Sequence, residues 1–306
     1  MALQKEIWIN DIQENLYVQN PWMSYSKDDS AYIAFKTVHI PQSGAASTVT
    51  KNNSSWPLVA VQRTDSDFTY TIDDYSTEAF FVTNYEELQF SYDKRMSITS
   101  DYNKKLINSV ANNMAYNWSP TGTASRVVRT TGSTVSTALA GSATGTRNAL
   151  TLADILAAKA ILDKEGIPAE GRIMVMNTDQ YNLQLLSIAN ISQFYQSNID
   201  TLPKGAVKEL YGFAIYVKPS VTVYDSTGIA LKAVSADGTV TSATATDNLG
   251  ILCYHPDFVS KALQGIEVFY QEQAPLTQGD IMSARLAMGG KYRRLDFKGV
   301  VSIVQA

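Results

Sequence analysis

The sequence predicts an α+β fold on three observations. A helical segment runs from Asn84 to Trp118 in an otherwise strand-rich chain; a helix, strand and helix follow one another between Thr151 and Leu186; and strand-like runs recur before, between and after these segments. The long segment is the element around which the rest is organised. Asn84 with Glu87 three residues on is a capping-box pair, and no Gly or Pro interrupts the chain until Pro120. At a rise of about 1.5 Å per residue such a helix approaches ~50 Å. Ser97 to Asp101 is the candidate break, because Ser, Thr and Asp side chains compete for backbone hydrogen bonds, and both a continuous and a broken helix fit. Beyond it, Ile98, Tyr102, Leu106, Val110, Met114 and Trp118 recur every four residues, with Ile107, Ala111 and Ala115 beside them. Each such step drifts by ~40°, so the stripe winds roughly 200° around the helix. It fits either an amphipathic helix in one core or a helix covered by different elements at its two ends.

The first forty residues place Ile9, Ile12, Leu16, Trp8 and Tyr17 ahead of a stop at Pro21, and then a strand from Ala31 to Ile40 closed by Pro41. Two readings fit this start: a terminal helix packed on its own domain, or an arm lying on a neighbouring subunit. Gln42 to Pro57 is rich in small polar residues with little to anchor it. Leu58 to Arg63 and Phe68 to Asp73 then read as a hairpin, with Phe68, Tyr70 and Ile72 on one face. A two-stranded hairpin is marginal in water by itself, so this one needs a surface to lie on. Asp65, Asp67, Asp73, Asp74 and Glu78 make the region acidic.

After a Gly-, Ser- and Thr-rich connector holding one strand, Arg126 to Thr131, the chain opens a helix at Thr151, where Asp154 completes a capping box. Ile155, Leu156, Ala158, Ile161 and Leu162 form its apolar face, and Gly166 ends it. Ile167-Pro168 leads through Gly171 into the buried-strand run Arg172 to Met176, and a helix carrying Tyr181, Leu183, Leu185 and Leu186 follows. Strands are then expected from Val207 to Pro219, Val221 to Tyr224 and Gly250 to Tyr254, a short helix from Phe258 to Leu263, strands at Ile266 to Gln271 and Asp280 to Met288, and a turn at Gly289-Gly290.

The run TLADILAAKAILDKEGIPAEGRIMVMNTDQYNLQLL, with Gly166-Ile167-Pro168, Gly171-Arg172 and Tyr181 in place, resembles the major capsid proteins of tailed bacteriophages, the Hong Kong 97 fold. The closing GGKYRRLDFKGVVSIVQ is similar to their last strands, and the preceding elements fall in the same order. The resemblance implies an N-terminal arm (1–40), an extended loop (41–83), a peripheral domain (84–166) with a spine helix (84–118) and a second helix (151–165), an axial domain (167–265) and a return to the peripheral domain (266–306). It also implies a non-enzymatic shell protein of the virion, assembled in the host cytoplasm from pentamers and hexamers around double-stranded DNA held without sequence specificity. Scaffolding, portal and decoration proteins would be its partners. No long charged helix precedes the start, which implies a separate scaffold or none, and nothing marks Lys51 and an Asn as a crosslinking pair. An encapsulin-type compartment, with the same fold around protein cargo, is the alternative; an enzyme with an unrecognised polar site is the remote one.

Composition and motif agree with a structural role. Charged residues make up 18% of the chain, the net charge is −4, and no basic run offers the footprint of a tight nucleic-acid binder. The start lacks the pattern of a signal peptide, and no apolar stretch reaches membrane-spanning length. Phosphate-loop, dinucleotide, zinc-protease and hydrolase motifs are missing. With His39, His255 and Cys253 as the only imidazoles and thiol, no cofactor or metal site is expected. One pairing does suggest a mechanism. Arg285, Lys291, Arg293, Arg294 and Lys298 form the most basic stretch, opposite in charge to the acidic hairpin. The expectation is that the hairpin of one subunit lies across the spine helix and basic strands of the next, with Phe68, Tyr70 and Ile72 beneath it and Asp65, Asp67, Asp73 and Asp74 setting register.

Overall fold

A computed structural model describes every residue except 1, 43, 45–47, 55, 58–59, 61, 84–93, 135, 189–207 and 276. Its axis is the spine helix Lys94–Trp118, continuous through Ser97 to Asp101; the Asn84 and Glu87 cap lies outside the described residues. Packing overrides the local competition for hydrogen bonds at the expected break: Ile98 and Tyr102 lie against the main core, and the Phe80 ring stacks on Tyr102 at 4.5 Å. At the other end Trp22 meets Trp118 edge-on at 5.4 Å, and Tyr254 lies 5.2 Å from the same indole. Different elements therefore cover the two ends of the winding stripe, and its middle (Ile107, Val110, Ala111) has no exposure.

Helix Ala2–Gln19 and the turn Pro21–Ser24 close this core from the side, with Ile12, Leu16, Trp22 and Met23 buried in it. Within the single chain the N-terminal helix packs on its own core. The run expected as one strand from Ala31 to Ile40 is instead a hairpin, Ile33–Ala34 against Thr37–Gln42, turned at Phe35 and Lys36, both at positive φ.

Opposite the spine lies a long antiparallel ribbon, Val259–Ala274 with Gly279–Tyr292, flanked by Asp73–Ser76 and Phe80–Thr83 on one edge and Lys27–Asp28 on the other. Two expectations fail here. The helix expected at Phe258 to Leu263 is a short 3-10 turn, Pro256–Phe258, followed by strand, and the turn expected at Gly289-Gly290 is strand interior. Those glycines serve close approach rather than reversal. A Cβ on Gly290 would lie 2.4 Å from Met114 Cε and 2.5 Å from the Ser260 carbonyl, and one on Gly289 would lie 2.7 Å from the Thr71 carbonyl.

A seven-stranded sheet builds the second core. Its path runs Glu209–Leu210, Phe213–Lys218, Arg172–Asn177, Asn248–Tyr254, Val300–Val304, Val127–Arg129, with Val223–Tyr224 beside Asn248–Tyr254. Three of these strands, Arg172–Asn177, Asn248–Tyr254 and Val300–Val304, are buried at every position. The closing strand Val300–Val304 thus sits inside this sheet. Helix Leu152–Lys164 covers it, capped as expected: Thr151 accepts from the Asp154 N–H, and Asp154 accepts from the Thr151 N–H at 2.9 Å. Gly166 and Gly171 take positive φ in the turn that follows. Arg172 is 1% exposed and donates to Asp163 at 2.6 Å, to the Pro168 carbonyl at 2.8 Å and to the Ile167 carbonyl at 2.7 Å, so the Gly-Arg signature is a turn clamp. The helix expected after Asp179 is a single π-helical stretch, Gln180–Leu185.

Candidate functional site

The extended loop divides into a stem and a tip. The stem pairs Thr37–Gln42 with Ser66–Thr71, Ile40 opposite Phe68 and Val38 opposite Tyr70. The expected partner Leu58 to Arg63 falls partly outside the described residues. Alternation sends Val38, Ile40, Phe68, Tyr70 and then Ile72 to one face, each at most 5% exposed. That face lies on Ala262, Ala287 and Tyr292 of the same chain's ribbon. Phe68 stacks on Tyr292 at 5.5 Å, and the Lys291 ammonium stands 4.9 Å above the Phe68 ring.

Within one chain, part of the acidic set also meets part of the basic set. Asp74 accepts from Lys36 and, at 2.8 Å, from Arg285, which also reaches Glu267 at 3.2 Å; these bonds hold the Asp74 carboxyl below its ordinary range. Asp73 opens the adjoining strand opposite the buried Met288, on the side of Tyr75, and burial raises its carboxyl. Arg293 grips the buried Asp29 with one guanidinium nitrogen, at 2.8 and 2.7 Å to the two oxygens. Arg294 pairs locally with Asp296 at 3.5 Å, and the Lys298 N–H donates to the same Asp296; neither bonds to the stem. Asp65 pairs with Arg63, and Asp67 with His39 at 2.6 Å, all on exposed positions. The structure therefore joins Phe68, Tyr70, Ile72, Asp74, Arg285 and Lys291 in cis, with Arg293 beneath the stem, and leaves Asp65, Asp67, Arg294 and Lys298 apart from that contact. Within the single chain, the aromatic face is buried by the chain's own ribbon.

Beyond the stem the surface changes character. Val49 is 97% and Trp56 75% exposed at the tip, where residues 43–64 carry Lys51 and Arg63 and no acid. At the far end of the ribbon Phe81 and Phe269 are half exposed, and the register puts them on the same sheet face as Ile281. Ile266 to Met282 carries Glu267, Glu272 and Asp280 with no base. Sequence reasoning passed over these residues, although a Trp set among Ser and Asn in an unanchored loop was the available signal. Catalytic chemistry has no comparable assembly. Among the described residues no group of acids, His and Cys stands in metal-binding array, Cys253 is fully buried with its thiol pushed up by burial, and His255 Nδ1 accepts from the Asp257 N–H. No described helix is long and apolar enough to cross a membrane.

Comparison with known proteins bears out the resemblance read from the sequence. A family model described as phage capsid protein matches residues 109–242. A search of curated proteins gives no match. Among solved structures, the capsid of cyanophage P-SCSP1u aligns with a TM-score of 0.61 at 16% identity, over 91% of this chain and 86% of that one. A cyanophage Pam1 capsid subunit gives 0.62 at 10%, over 91% and 87%, and the capsid of Ralstonia phage GP4 gives 0.58 at 12%, over 92% and 86%. At these identities the likeness shows the fold, and the fold is the Hong Kong 97-type capsid fold.

Proposed function

We propose that this chain is the shell-forming major capsid protein of a tailed phage, closing as pentamers and hexamers into the icosahedral head that holds double-stranded DNA. The observation that carries this is the alignment of about nine-tenths of the chain with phage capsid subunits, joined by a phage capsid family match over residues 109–242, from the last part of the spine helix through helix Leu152–Lys164 and five of the seven sheet strands. A chain with this role acts in the virion and assembles in the host cytoplasm, with a scaffolding protein, a portal and decoration proteins as its partners. A protein-cargo compartment built on the same fold is the second reading, and the phage family match favours the first.

For the contact between subunits, the tip is the better supported half of the loop. Val49 and Trp56 are largely exposed, and the tip's Lys51 complements the acidic ribbon end, where Phe81 and Phe269 are half exposed. Of the acidic stem and the basic strands, Asp74 and Arg285 already pair within one chain, and Lys291 stands over the Phe68 ring. Electron microscopy of the purified protein, with and without the neighbouring genes of its source genome, tests the function. Closed shells or rings of five and six are expected. A strict monomer under every condition, added scaffold included, would sink the capsid reading, and shells filled with a co-expressed enzyme instead of DNA would select the compartment.

A further inference from the structure

Where the middle of the spine helix crosses the sheet, the junction is polar. Lys218 ends strand Phe213–Lys218 at 5% exposure, and its ammonium meets the Asn112 Oδ1 of the spine helix and the Ser220 carbonyl at 3.1 Å. The turn from Ser235 to Thr239 seals the other side: Asn113 donates to the Ala236 carbonyl at 3.0 Å, and a Cβ on Gly238 would lie 2.1 Å from the Asn112 Cβ. The charged groups of the surrounding elements are engaged or distant. On the spine helix, Asp101, Lys104 and Lys105 are exposed about two turns away or more. On the turn, Asp237 is taken up by Ser235 and by Thr239, at 3.1 Å from its N–H and 2.8 Å from its hydroxyl. Within the sheet, Lys208 and Glu209 are exposed, and Arg172 sits at the opposite end of the neighbouring strand, bound to Asp163. Among the described residues no carboxylate bonds to Lys218.

We propose that Lys218 is a proton-operated latch, an ammonium buried with no counter-ion among the described residues, that keeps the joint between spine helix and sheet under tension while charged and relaxes it when neutral. An uncompensated buried charge destabilises what surrounds it, and a neutral side chain of similar length packs there without that penalty. Burial pushes the Lys218 amine down from the ordinary 10.5 to about 8. The sign follows: between those values the unfolded chain binds the proton and the folded chain does not, so stability rises with pH from about 8 towards 10.5, and the full penalty stands below 8. Lys261 is also pushed down by burial, but it faces Asp28 and the Met23 and Ser24 carbonyls, so only a difference between variants isolates the latch.

The test compares thermal unfolding of the full chain with Lys218→Met and Lys218→Gln between pH 7 and 10, together with amide hydrogen exchange at pH 7 over residues 106–118 and 213–220. Either variant is expected to melt several degrees higher than the parent at pH 7, to lose most of the parent's alkaline rise, and to exchange more slowly over both segments. A parent profile that runs parallel to both variants, or variants that melt at or below the parent at pH 7 with unchanged exchange, overturns the proposal. Should Lys218→Met fail to fold, Lys218→Gln, which keeps a donor for Asn112, decides alone.

Discussion

The stem and the tip of the extended loop are continuous in sequence and opposite in physics. The stem alternates apolar and polar residues over six paired positions and puts Phe68, Tyr70, Val38 and Ile40 onto the chain's own ribbon. The described part of the tip has no such pairing, and its Val49 and Trp56 stand in water. The difference teaches that one loop can serve two purposes only if they are segregated along it: the stem buries its face at home and holds its shape, and the tip, under the proposed subunit contact, keeps its face free for a partner.

The largest way to break this contrast is Phe68→Ala. It removes a buried ring and its stack on Tyr292, and a loss of about 3 kcal/mol in the isolated chain is expected in chemical denaturation. A loss near zero would mean that the stem is not held at home. Arg293→Ala comes next, at about 2 kcal/mol, because it strands the Asp29 carboxylate, 7% exposed, without its partner. Arg285→Gln should leave stability nearly unchanged, since the Asp74 and Glu267 pairs are solvated and screened. Raising the salt concentration should shrink even that difference. At the end of the series, Trp56→Ala together with Val49→Ser should leave unfolding unchanged and stop shells or rings from forming in electron micrographs. Normal shells from that double variant would assign the contact between subunits elsewhere.

Much of the fold was legible because its signals are local. The Thr151 cap, the turn through Gly166 and Gly171 and the buried run from Arg172 each depend on a few neighbouring residues, and each stands where the pattern placed it. Signals failed where a local preference met a distant demand. Ser, Thr and Asp at 97–101 favour a break, but Phe80 stacked on Tyr102 keeps the helix whole. Gly289 and Gly290 look like a turn, yet they are strand positions where Thr71, Ser260 and Met114 come too close for a side chain. The candidate site was half legible: the aromatic face and its basic partners were named, but alternation says only that a face needs cover, never which chain provides it.

By itself the sequence determined the α+β class, the order of elements, the apolar stripe of the spine and the faces that must be buried, because periodicity and capping are written in neighbouring residues. Only the tertiary structure decided that the hairpin folds back on its own ribbon, that the N-terminal helix joins the same core, and that Lys218 is enclosed with no acid among the described residues to meet it. Each of those outcomes depends on residues more than a hundred positions apart coming into contact, and burial and charge compensation are properties of that contact, not of either partner's sequence neighbourhood.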